Sequence, residues 1–457
     1  MGGASGTTAG GAGASGSASA SGGGAAGCGG WSLDGTSTLT SVDPDGTESF
    51  AVTLAVKNDS CAAIVPTRAP VLFATSGGFA FEVLDPVVMK GSLFGLSSLE
   101  AGKAYSLPLM FVWSSPVTHA FVRLEAAGIP EVQASIPLLR KGYAAPADVP
   151  FSGDVALALQ GPIETIPLST GETWLGVVGQ AVNVTSMSPS GAKPVAEVLD
   201  SSGVTLSKVP IAAAPAALVT QALAPFFGGV AVPANAASLR VTMSLALGGG
   251  TPTSLVRTAA IVASVPEVVA VPVSGAWRWD NGPAEGTYHT HDRYPEQRYA
   301  YDLLVEEAGA TYAGDPGDNA SYHCFGKPIS AAHDGVVVFV DDTVLDNLGN
   351  APNPMNDPPT KNGQVIVKHD DGRYSLYVHV KQGSAIVKVG DAVKAGAALA
   401  QVGNSGFTTE PHLHFEIIEI DASGRAHAVP AAPTGLVGPG GTPVVGVPKG
   451  SLVYTSP

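Results

Sequence analysis

Charge is scarce in this sequence. Of 457 residues only 13% are charged, and acidic residues outnumber basic ones 38 to 23, for a formal net charge of −15. A phosphate-rich partner needs clustered Lys and Arg. No such cluster occurs, which excludes nucleic acid, and the acidity gives no electrostatic help with anionic polymers. Cysteine is equally sparse. Cys28, Cys61 and Cys324 contain no CxxC pair, so a cysteine zinc knuckle is excluded. In an exported chain Cys28 and Cys61 could form one disulfide, leaving Cys324 as the odd thiol; the alternative is three small buried thiols. No run approaches the ~18 apolar residues of a membrane-spanning helix. No export signal is visible either. Met1 leads straight into Gly, Ala and Ser repeats, and the start reads as that of a mature or trimmed chain whose signal has been removed.

What is abundant is small and β-forming. Hydrophobic residues make up 45%, with 57 Gly and 36 Pro. Low charge with many small and β-branched residues suits an all-β protein with many turns. At about 150 residues per domain the length suggests roughly three domains. Residues 1–29 are nearly all Gly, Ala, Ser and Thr and read as a flexible tether. Residues 30–147 carry short alternating runs at 49–56, 79–84 and 121–125, for which a β-sandwich is the natural closure. A Pro-rich boundary at 144–150 precedes a second β-sandwich-like segment, 148–268, with strands at 174–178, 195–199 and 238–242. Residues 212–224 are rich in Ala and allow one short helix, interrupted at Pro215. Neither segment gathers titratable side chains, so both read as binding or spacer modules.

Histidine is distributed differently. Ten occur; only His119 lies before residue 289, and nine fall within 289–427. Histidine is the commonest metal ligand and a usual acid–base group, which locates the chemistry in residues 269–457. In Pro411-His412-Leu413-His414-Phe415-Glu416 the two histidines are two apart and share one face of a strand. The bland alternative is a pair of surface histidines. Residues 374–379 form a second strand ending in His379, with Tyr377 expected on the same face. Asp302 sits in a hydrophobic run, Tyr299-Ala300-Tyr301-Asp302-Leu303-Leu304, where a carboxylate needs a partner such as a metal ion or an arginine. Two His and one carboxylate with an open position match a catalytic zinc site and not a structural one.

These residues resemble the lysostaphin-like, or LytM-type, peptidases of the M23 class. Pro411-His412-Leu413-His414-Phe415, preceded by Gly403-Asn404-Ser405-Gly406, is similar to the family signature. Gly363 to His369 followed by Tyr377-Val378-His379 resembles its central strand pair, residues 389–396 its glycine-rich turn, and residues 331–337 its opening strand. The match covers roughly residues 270–430. The resemblance implies an antiparallel β-sheet peptidase domain at 269–457, Zn2+ as cofactor, and hydrolysis of peptide cross-links in bacterial peptidoglycan outside the cytoplasm, by a secreted, periplasmic or surface-anchored protein. It implies His414 and Asp302 as zinc ligands, with His379 and His412 as the catalytic pair. The family's first motif is His-x-x-x-Asp, yet Arg298 stands four residues before Asp302. A subgroup carries a QRYA-x-D segment, as here, with a His further upstream. His291 is then the remaining ligand, and His289 the other candidate. A member that has lost its ligands would instead be a catalytically silent scaffold regulating another wall hydrolase. His369 and His333 read as structural, and residues 341–362 as a long loop walling a groove.

Overall fold

The computed structural model describes residues 29–42, 48–75, 79–84, 98–113, 117–126, 129–137, 155–159, 163–183, 189–213, 222–247, 251–286, 291, 297–350, 362–420 and 426–457. Among the described residues there is no α-helix, and the chain is all-β. Two compact units divide it, one formed almost wholly by residues before 150 and the other by residues 150–457.

The first unit pairs Trp31–Val42, Glu48–Asn58 and Ala104–Trp113 in one antiparallel sheet, and Phe79–Leu84, Pro66–Thr75, Val117–Ala126 and Ile129–Pro137 in another. Alternation explains the core. Phe50, Val52, Leu54 and Val56 are buried, while the residues between them are more exposed. The sheets meet closely at Gly35, where a Cβ would lie 2.4 Å from Ile136 Cδ1, so any larger residue would force the Ile136 side chain to shift. Cys61 is disulfide-bonded and Cys324 is a buried free thiol; Cys28 lies outside the described residues.

The second unit begins with a nine-stranded sheet running from Val155–Leu159 to Thr253–Ala263, around a core of Leu175, Val177, Val198, Phe226, Leu239 and Val241. The ends of the Ala-rich stretch are strands, Ile211–Ala213 and Ala222–Ala231, and residues 214–221 lie outside the described residues. Pairing of Phe226 and Phe227 with Gly179 and Val178 overrides the helical preference of alanine there.

The C-terminal sheet holds the histidines. Its order is Ala392–Val393, Gly335–Asp341, Gln364–His369, Tyr374–Val378, Leu413–Ile420, Tyr301–Leu304, Gly275–Asp280 and Leu452–Ser456, all antiparallel. Leu413, Phe415 and Ile417 face a large core with Tyr377, Tyr301, Leu303 and Trp279. Period-two alternation therefore sends His412, His414 and Glu416 to the opposite face.

Candidate functional site

The central strand Leu413–Ile420 sets the site by register. His414 lies opposite Asp302 on one neighbour and Val378 on the other. Directly opposed residues of antiparallel strands bring their Cβ atoms to about 4.5–5.5 Å. His414 Nδ1 thus reaches Asp302 Oδ1 at 3.1 Å. The same oxygen lies 3.3 Å from His412 Nε2 and 3.4 Å from His291 Nε2. His291 arrives from the segment between strands Gly275–Asp280 and Tyr301–Leu304; His289 lies outside the described residues.

His379 enters by a different route. It has φ of 63°, a left-handed conformation that breaks strand alternation just past Val378. The expected shared face of Tyr377 and His379 is therefore corrected. Tyr377 packs in the core, its ring 5.6 Å from that of Phe415, while the His379 ring lies 4.6 Å from that of His412 and 6.1 Å from that of His414. His379 Nδ1 donates to the Ser405 carbonyl at 2.8 Å. His412 Nδ1 donates to the Glu410 carbonyl at 2.8 Å, and the Thr408 hydroxyl, 3.2 Å from the same nitrogen, donates to that carbonyl too.

Protonation follows from these contacts. Burial pushes the Asp302 carboxyl up, but the charges of His291 and His412 and their hydrogen bonds outweigh it and hold it well below the usual carboxylate range. Burial, with His412 and His414 alongside, pushes His379 well below the usual imidazole value. Burial also opposes charge on His412, yet the Asp302 carboxylate raises it on balance. His414 overcomes burial through Asp302 and Glu416 and rises to about 10.

His291, Asp302 and His414 could hold a metal ion, since one donor atom from each lies within 4.8 Å of the others. A tetrahedral ion with bonds of about 2.0–2.1 Å requires donors about 3.3 Å apart. The separations of 3.4 and 3.1 Å to Asp302 Oδ1 fit. The rings of His291 and His414 stand nearly perpendicular at 87°, with centroids 4.7 Å apart. Glu416 supports the second ring, with Oε1 3.7 Å from His414 Nε2. An outer carboxylate of this kind orients a ligating imidazole.

A second group fails the same test. Glu267, His333 and His369 also bring donor atoms within 4.8 Å. The two rings, however, are stacked at 4.4 Å and only 21° apart, so their in-plane lone pairs do not converge. His369 is already engaged on both sides, with Glu267 Oε1 at 2.7 Å and Ser375 Oγ at 3.0 Å. Ser375, His369 and Glu267 repeat the order of a hydrolytic triad, but Ser375 is fully buried and no substrate reaches it. This group is a polar brace between Glu267 and the sheet.

Two contributors were not among the residues singled out from the sequence. Glu416 lies on the His412/His414 face by simple alternation, which was available from spacing. Asn281 donates from Nδ2 to Asp302 Oδ2 at 2.8 Å, and its only sequence signal is the turn-forming run Asp280-Asn281-Gly282-Pro283.

With this geometry in place, comparison with known proteins is consistent. Residues 320–428 match peptidase family M23, and the C-terminal part of the chain carries a domain of that family. The chain is 34% identical over 92 residues to the cell division protein DipM of Caulobacter vibrioides, covering 20% of this chain and 12% of that protein. It is 34% identical over 91 residues to the glycyl-glycine endopeptidase ALE-1 of Staphylococcus capitis, covering 20% and 21%. It is 47% identical over 53 residues to the murein hydrolase activator EnvC of Escherichia coli, covering 12% of each. The matches thus span between an eighth and about a fifth of these relatives' length. Among the described residues no helix is long and apolar enough to cross a membrane.

Proposed function

We propose that the C-terminal domain is a zinc-dependent endopeptidase that cleaves peptide cross-links of bacterial peptidoglycan, acting outside the cytoplasm. One observation carries this reading: a single carboxylate oxygen, Asp302 Oδ1, has three imidazole nitrogens within 3.4 Å, beside the fourth ring of His379. His291, Asp302 and His414 are the proposed ligands. When bound, zinc supplies Lewis acidity and lowers the pKa of a water to about 7.

The remaining work falls to this chain's own groups. His379 is held neutral by burial, and its Nδ1–H donates a hydrogen bond to the Ser405 carbonyl. Its Nε2 is therefore the base that accepts a proton from the attacking water. His412 is favoured in its charged form by the Asp302 carboxylate and fixed at Nδ1 by the Glu410 carbonyl. Its Nε2–H donates to the scissile carbonyl oxygen as negative charge develops there. A positioned proton-transfer group contributes typically about 10²–10⁴-fold in rate. Residues 30–147 and 148–268 are proposed as the spacer or binding modules that deliver this domain to its polymer.

The likeness to a murein hydrolase activator favours a second reading, a catalytically silent scaffold that regulates another wall hydrolase. Digestion of defined muropeptides by the purified full chain, with metal analysis of the same sample, separates the two. Stoichiometric zinc with cleavage supports the endopeptidase. Absence of both supports the scaffold.

A further inference from the structure

We infer that Asn281 is a positioning residue for the metal centre, fixing two of its three ligands at once. The inference rests on the proposed zinc site. Asn281 follows the last residue of strand Gly275–Asp280, whose Asp280 is in register with Asp302. Its side chain donates from Nδ2 to Asp302 Oδ2 at 2.8 Å. Its main-chain oxygen lies 3.0 Å from His291 Nδ1.

Each contact selects one atom for the metal. A carbonyl only accepts, so His291 Nδ1 carries the proton, and the lone pair of Nε2 is left facing Asp302 Oδ1. The amide occupies Asp302 Oδ2, which leaves Oδ1 as the oxygen that meets the imidazoles. Asn281 thereby sets the tautomer of one ligand and the ligating oxygen of another.

The backbone limits what can stand here. Asn281 has φ of 49°, in the left-handed region that asparagine tolerates better than most residues with a Cβ. Its main chain is also engaged by the Glu285 carboxyl. The position thus requires a left-handed residue that carries a side-chain donor, and asparagine meets both conditions.

Asn281→Gly isolates the side-chain role, because glycine accepts the left-handed turn and keeps the main-chain carbonyl. The full chain is stripped of metal. Zinc affinity is then measured by competition against a chromophoric chelator, and the visible spectrum of the cobalt(II)-loaded protein is recorded. Loss of an outer contact of this kind weakens metal binding by about 10–100-fold. The variant should show that weakening and an altered cobalt spectrum, with the unfolding midpoint of the metal-free protein close to wild type. Wild-type affinity and an unchanged spectrum in the variant would overturn the role of Asn281 alone. A wild-type chain that takes up no metal would sink the zinc site and this inference together. Should glycine prevent folding, Asn281→Ala keeps the main-chain carbonyl while removing the donor; an unchanged cobalt spectrum there would likewise overturn the proposal.

Discussion

Asp302 and His414 are 112 residues apart in sequence and face each other across paired strands, with Oδ1 and Nδ1 3.1 Å apart. Around that contact His291 and His412 close on the same oxygen.

His291→Ala should lose stoichiometric zinc, whereas His323→Ala should keep it, because His323 lies by Glu307 and is not in the group of His291, Asp302 and His414 whose donor atoms come together. Metal analysis of the purified variants reads the difference. Full zinc content in the His291 variant would remove it from the ligand set.

His379→Ala should lower peptide cleavage by about 10²–10⁴-fold while zinc content stays at wild-type level. The ring touches the site beside His412 and His414 but lies outside the proposed ligand set. Parallel loss of zinc would show that it holds the metal and not the proton.

Glu164→Gln should stabilise the protein at neutral and alkaline pH. Burial raises the Glu164 carboxyl above its ordinary value, against the Tyr299 hydroxyl and the charge of Arg298, which lower it. A carboxyl raised in the folded state contributes stability that is full below the unfolded value, near 4.5, and is lost as pH rises through the folded value. Thermal unfolding should therefore show a higher midpoint for Glu164→Gln at pH 8, and the two proteins should converge near pH 4. A lower midpoint at pH 8 would contradict the sign.

Trp279→Ala should destabilise by about 3–5 kcal/mol in chemical denaturation. The ring is fully buried, edge-on to Tyr301 at 4.8 Å and to Tyr454 at 6.0 Å. Among the described residues its Nε1 has no hydrogen-bond partner, so Trp279→Phe forfeits no hydrogen bond and should cost much less. Equal losses for the two variants would point to an undetected polar contact.

Much of the strand architecture was legible beforehand. Alternation at residues 412–417 separates the histidines from Leu413, Phe415 and Ile417, and the core confirms that division. The hydrophobic run around Asp302 marks a buried carboxylate in need of a partner, and the partners are imidazoles together with the Asn281 amide. The face of His379 was not legible, because a single left-handed residue reverses it. Nor was the brace of Glu267, His369 and Ser375, whose members come together only when residues 102 apart pack side by side.

By itself the sequence determined the all-β class, the concentration of histidine in its last third, and which side chains of residues 412–417 share a face. Those are consequences of composition and of a period-two backbone, both local. The tertiary structure alone decided the strand register that sets Asp302 opposite His414, which oxygen of Asp302 faces the imidazoles, and that Asn281 holds the other. Such pairings depend on strand register, and register is set by packing Leu413, Phe415, Tyr301 and Tyr377 into one core.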